Sequence, residues 1–252
     1  PLTYIWEQTD MGNSTVAIPA VTNATGPLFR SLQPSTSPVR YFPKLATVQT
    51  GAITGSWESL SNVARVIKFR FTVRDNRLSG PANNSDDVFI TVGGTAGPFV
   101  VSSPNTAVTY AGGSTQTVTW NVAGTTANGV NAASVDILLS TDGGNTFPIT
   151  LASEVPNDGS QSVTIPNSAG TQNRIMVKGS NHIFFDISNT NFTITGGGGD
   201  TTAPSAPANL TASGTTATTT SLSWNVATDN VGVTGYNVYQ DGTLKSTVTG
   251  TN

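Results

Sequence analysis

The sequence predicts an all-β chain built from small sandwiches in tandem. Three observations carry this. In Val135–Phe147, Val135, Ile137 and Leu139 alternate with Asp136, Leu138 and Ser140, the period-two pattern of a strand. The run stops at Thr141-Asp142-Gly143-Gly144-Asn145. That turn has glycines for positive φ and an Asp and an Asn for local side-chain hydrogen bonds. Thr146, Phe147, Ile149 and Leu151 then start a returning strand, which makes a hairpin. Only 10% of the 252 residues are charged, and no stretch carries a convincing helical period.

Residues 1–95 read as a first sandwich. Leu2, Tyr4 and Trp6 alternate with Thr3, Ile5 and Glu7. In Val66–Arg74, Ile67, Phe69, Phe71 and Val73 are assigned to the core, and Lys68, Arg70, Thr72 and Arg74 to solvent. Asp75-Asn76 ends that strand, and Asp87–Val92 supplies another, with Val88, Ile90 and Val92 on one face. Residues 8–62 are rich in Pro, Ser, Asn and Gly and too long for plain loops, so short strands are expected there, at Val16–Ile18 and Ala46–Val48.

Residues 96–195 read as a second sandwich after a Gly-rich joint at 93–97. Val118, Trp120 and Val122 alternate with Thr117, Thr119 and Asn121, and a Trp so placed anchors a sandwich core. Ser162–Ile165, Arg174–Lys178, Ile183–Ile187 and Phe192–Ile194 supply further strands. Residues 196–202 form a Gly-rich linker that stiffens at Pro204. Residues 203–252 set Leu210, Leu222, Trp224, Tyr236, Val238 and Tyr239 in strand patterns, about half of what a sandwich needs. The chain is therefore expected to be an internal piece of a larger protein.

The composition excludes several classes. The chain has no Cys, hence no disulfide and no thiolate metal site. No apolar run approaches 18 residues, so no membrane-spanning helix is expected. Net charge is −3, and residues 1–95 hold eight of the eleven Lys and Arg. That bias is too weak for the dense basic patch nucleic-acid binding requires. No G-x-S-x-G elbow or Gly-rich phosphate loop before a helix occurs, so no catalytic constellation is read.

Four groups remain as candidate sites. Asp75 ends one strand, and Asp86 and Asp87 begin the next. Convergence of the three would offer oxygen ligands for calcium. Ser140, Asp142, Gly144, Thr146 and Phe147 fit S-x-D-x-G-x-T-aromatic, the Asp-box hairpin pattern, in which Ser and Asp tie up turn backbone groups. Lys68, Arg70 and Arg74 form a basic stripe that could meet an acidic partner. His182, the one His, has no second His or Cys and is read as structural.

Leu2–Gln8, Pro27–Arg30, Arg40–Pro43 and Phe69–Asn76 resemble a module that follows the catalytic domain in secreted reprolysin-like zinc metalloproteases of Bacteroidetes-type bacteria. Gly97–Phe99, Val118–Trp120, Leu139–Gly144, Pro156–Ser160 and Phe184–Ser188 are similar to the Ig-like module that usually follows it. Residues 203–252 look like the first half of a fibronectin type III domain. The resemblance implies a non-catalytic accessory region, extracellular or on the bacterial surface. Its implied partners are an upstream catalytic domain, the type IX secretion machinery, and a protein or glycan ligand. The zinc motif H-E-x-x-H of such proteases is absent from this chain. A stalk or adhesin segment is the alternative expectation.

Overall fold

Alternating side chains pair the first strands into one antiparallel sheet. β1 (Thr3–Gln8), β4 (Arg65–Arg74) and β5 (Asn83–Val92) lie in the order β1-β4-β5, with Thr3 opposite Arg74 and Arg65 opposite Val92. Between β1 and β4 come a single helical turn, α1 (Leu45–Val48), and a two-stranded ribbon, β2 (Thr54–Gly55) with β3 (Glu58–Ser59). Ile67 and Phe69 on β4 are buried, as the alternation requires, and pack with Leu28, Phe29 and Phe42 from the intervening segment. The face of this sheet is thus covered by irregular chain and a ribbon. The computed structural model describes residues 1–12, 18–196, 202–229 and 232–250. It divides into two compact units, Pro1–Gly197 and Gly198–Asn252.

One local expectation changes. Ala46–Val48 lies in α1, not in a strand: Val48 N–H and Gln49 N–H donate back to Lys44 O and Leu45 O, which closes a helical turn. The other expected short strand, Val16–Ile18, lies mostly outside the described residues, as does most of the 196–202 linker.

The next strands build two facing sheets. In chain order they are β6 (Val100–Ser103), β7 (Thr109–Ala111), β8 (Thr115–Asn121), β9 (Ser134–Ser140), β10 (Ile149–Pro156), β11 (Ser160–Thr164), β12 (Gly170–Gly179), β13 (Phe185–Ile187) and β14 (Phe192–Thr195). One sheet runs β10-β9-β12-β14-β7, with β13 also on β12; the other runs β11-β8-β6. Val135, Ile137, Leu139, Ile175 and Val177 of the larger sheet face Val101, Val118, Trp120 and Val163 of the smaller, and all are buried. The Trp120 indole N–H donates to Asn157 Oδ1 at 2.9 Å, so the core anchor's polar edge is satisfied. Asn157 Nδ2 in turn donates to Thr125 Oγ1 and Ala132 O.

The larger sheet is also buried on its outer face. Met176 and Ile187 pack there with Leu138, Phe147 and Phe185, and Leu45 and Val48 of α1 cover them. Tyr41 meets Phe185 edge-on, with ring centroids 5.4 Å apart. Arg174 crosses the same seam: Nη1 donates to Gln49 O and Ser188 O, and Nε donates to Asn191 Oδ1. Gly51, at φ +73°, touches Asn189 here, and a Cβ on it would come within 2.6 Å of that side chain. The seam requires the small residue as well as the positive φ.

The second unit consists of two hairpins, β15 (Ala208–Ser213) with β16 (Ser221–Asn225) and β17 (Tyr236–Gln240) with β18 (Thr243–Val248). Trp224 and Tyr236 meet edge-on, and Tyr236 Oη accepts from Ala227 N–H. Leu222, Trp224, Val238 and Val248 line an open cleft of about 390 Å³.

Candidate functional site

The three carboxylates expected to hold calcium are spread along the β4–β5 ladder. Asp75 lies past the end of β4, where Oδ1 accepts from Arg77 N–H and Ala82 N–H and shapes the connection to β5. Asp86 lies opposite Phe71, and Asp87 opposite Arg70, several rungs down the ladder. Asp86 Oδ1 accepts from Asp87 N–H. Asp87 takes a forked pair of bonds from Arg70 at 2.8 and 3.0 Å and an ion pair from Lys68 at 3.0 Å. Hydrogen bonds from Arg70 and Lys68 hold its carboxyl well below the usual Asp range, against the opposing effect of desolvation. Among the described residues, no group of three or more His, Asp or Glu side chains converges as a metal site. Two members of the basic stripe, Lys68 and Arg70, are thus engaged within the sheet.

The Ser140–Phe147 hairpin is a closed set of local bonds. Ser140 Oγ donates to Asp142 Oδ1 and accepts from Gly144 N–H. Asp142 Oδ1 also accepts from Asn145 N–H and Thr146 N–H, and Oδ2 accepts from Thr146 Oγ1 at 2.6 Å. Those donors, with Ser140 first, pull the Asp142 carboxyl far below its ordinary value. Phe147 packs under the turn into the outer-face cluster. The side chains of Ser140, Asp142 and Thr146 all bond within the turn, so this arrangement shapes the backbone. His182 packs near Phe184, ring centroids 5.8 Å apart.

A different site, not singled out in the sequence, lies on the β2–β3 ribbon. Ser56 and Trp57 form its two-residue turn, and Trp57 has φ +65°. This places a bulky side chain in the region that glycine or asparagine normally occupies. Trp57 is 42% exposed, and the Arg30 guanidinium stands 5.3 Å from its ring centroid. Arg30, Ser31, Gln33, Lys44, Trp57 and Glu58 line a cleft of about 400 Å³. Glu58 is buried beneath it: Oε1 accepts from Arg40 and Oε2 from Lys44 N–H, both at 2.7 Å. Arg40 also donates to Trp6 O and Arg30 O, which ties the cleft floor to β1. The only trace in the sequence is a Trp inside a Gly-Ser-Trp-Glu-Ser turn.

No family model matches the chain. Short, strong matches to curated proteins do occur. The chain is similar to Chitinase A1 of Niallia circulans, with 60% identity over 52 residues, covering 21% of this chain and 7% of that protein. It matches Exoglucanase A of Cellulomonas fimi at 54% over 52 residues, 21% of this chain and 6% of that protein. Chitinase 63 of Streptomyces plicatus matches at 55% over 49 residues, 19% of this chain and 8% of that protein. An alpha-amylase of Niallia circulans matches at 56% over 43 residues. The chain thus spans less than a tenth of the length of these relatives. The matches are therefore to short segments of large bacterial carbohydrate-active enzymes, of the size of an accessory domain. The relatives named here give no support to the zinc metalloprotease parent implied by the sequence resemblance. Among the described residues, no helix is long and apolar enough to cross a membrane.

Proposed function

We propose that this chain is a non-catalytic accessory region of a secreted bacterial polysaccharide hydrolase. In this role it spaces the catalytic domain and docks it at its substrate. The observation that carries the reading is that enzymes of unlike named activity each match this chain over a short segment, of 52, 52 and 43 residues. We assign that segment to the second unit, Gly198–Asn252, whose 55 residues suit matches of 52. Residues 1–95, 96–195 and 203–252 are then three successive modules joined at the 196–202 linker. The parent's location is extracellular. Its partners are the catalytic domain of the same polypeptide and a carbohydrate.

Reading the parent gene tests this. The expected result is a glycoside-hydrolase domain with paired carboxylates in a cleft. A helix carrying H-E-x-x-H would restore the protease parent, and further β-modules with no enzyme would favour a stalk or adhesin. Calcium ligation by Asp75, Asp86 and Asp87 is a separate proposal, and it requires Asp87 to release Lys68 and Arg70. It predicts a higher melting temperature in calcium than in chelator; no shift at millimolar calcium removes it.

A further inference from the structure

We propose that the Trp57 cleft binds an acidic saccharide, a pyranose ring that carries a carboxylate or a sulfate. The inference rests on the accessory role proposed above for the choice of a sugar; the site itself stands on this chain's geometry.

Three observations converge. First, Trp57 sits at φ +65° in a two-residue turn, where glycine would relieve the crowding of Cβ against the backbone. Keeping the largest side chain at a strained, exposed turn points to use of the indole. Second, the indole is oriented and accessible. Arg30 stands over it, while 42% of the residue remains open to solvent. An indole so presented offers a flat apolar surface to the C–H face of a pyranose, and Ser31, Gln33 and Ser56 supply a polar rim for its hydroxyls.

Third, the charge is one-sided. The Glu58 carboxylate is neutralised from below by Arg40. Among the described residues, Arg30 and Lys44, both exposed, form no ion pair. The cleft therefore presents two cations without an anionic partner among the described residues, Arg30 over the indole and Lys44 beside it. A guanidinium pairs with a carboxylate or sulfate in a forked geometry, and an ammonium as a point charge. A neutral sugar would use the ring and leave both cations idle.

The test uses the full chain, labelled with 15N, and follows the indole N–H signals of its four Trp. The probes are a galacturonate hexamer, a carrageenan hexasaccharide, cellohexaose and sodium sulfate alone. The expected result is a saturable shift of the Trp57 signal with one or both acidic oligosaccharides, at least tenfold tighter than with cellohexaose. Trp57→Gly suits the backbone at this position, should fold, and should lose the binding, read from the backbone amide shifts of the cleft residues Arg30, Ser31 and Lys44 in the same spectra. Arg30→Gln with Lys44→Gln should weaken it at least tenfold and erase the preference over cellohexaose. The proposal is overturned by an unmoved Trp57 signal, by equal affinity for cellohexaose, or by the same response to sulfate alone. A failed titration leaves the accessory reading standing. Conversely, a parent gene with no hydrolase leaves the titration unaffected.

Discussion

Arg174 fastens residues 1–95 to the larger sheet of the following sandwich, and its removal should loosen that seam. Its guanidinium donates to Gln49 O across the seam and to Ser188 O and Asn191 Oδ1 on its own side. Hydrogen bonds from a charged donor are worth about 1.5–3 kcal/mol each when buried. The site is half-buried, and water can reach part of what is vacated, so Arg174→Ala should cost about 3 kcal/mol in total. Arg174→Lys keeps the charge but loses the fork, and should cost about half as much. The assay is guanidinium unfolding followed by tryptophan fluorescence and by far-ultraviolet circular dichroism. In the wild type the two probes should coincide for Pro1–Gly197. In Arg174→Ala they should separate, because Trp6 and Trp57 lie on one side of the seam and Trp120 on the other. A loss below about 0.5 kcal/mol with coincident probes would refute the reasoning, since that is within the range of ordinary surface substitutions.

Asn157→Ala should cost about 2–4 kcal/mol by chemical denaturation, because it orphans the buried Trp120 indole N–H and Ala132 O. Met176→Ala, in the outer-face cluster, should cost about 2–4 kcal/mol, and its cost should fall when Val48 is already Ala. Acid should destabilise the fold. Asp87 and Asp142 have folded values below their unfolded ones, so their contribution is present above about pH 4 and is lost as pH falls through the lowered values. Asp142→Asn should flatten that acid limb in melts recorded from pH 2 to 7. Asp186 carries the opposite sign. Burial raises its carboxyl, against hydrogen bonds from Val101 N–H and Ile187 N–H. Its protonated form is the one the fold favours, so stability falls as pH rises through the window above the ordinary Asp value. Asp186→Asn should remove that fall, read as a melting temperature that no longer declines as pH rises above the ordinary Asp value.

The strands were legible because one face of each is buried. Ile67 and Phe69 on β4, and Val135, Ile137 and Leu139 on β9, follow period two and point into cores. The seam left a fainter trace. Leu138 and Met176 are apolar at positions the alternation assigns to solvent, because the sheet's second face is covered by α1. Nothing in the local pattern of Leu45–Val48 marks a helix, since one turn has too few residues to show a period. The Asn157 side chain is the buried partner of Trp120, a pairing 37 residues apart that no local pattern can show. Arg65 lay outside the strand as read; it is buried and donates to Asn23 O and Gly26 O. The Trp57 cleft was hidden for the same reason: Arg30, Lys44 and the ribbon turn meet only in three dimensions. The expected gathering of Asp75, Asp86 and Asp87 was argued from strand ends. The observed β5 begins at Asn83, which moves Asp86 and Asp87 along the ladder toward Arg70.

Under the proposed function, this region docks a parent hydrolase at its substrate and takes no part in the chemistry. The direct measurement compares the parent with and without residues 1–252 on an insoluble polysaccharide and on a small soluble substrate of the same linkage. The account predicts that removal slows hydrolysis of the insoluble material several-fold, through lost effective concentration, and leaves the soluble rate unchanged. An equal fall on both substrates, or no change on either, would contradict it.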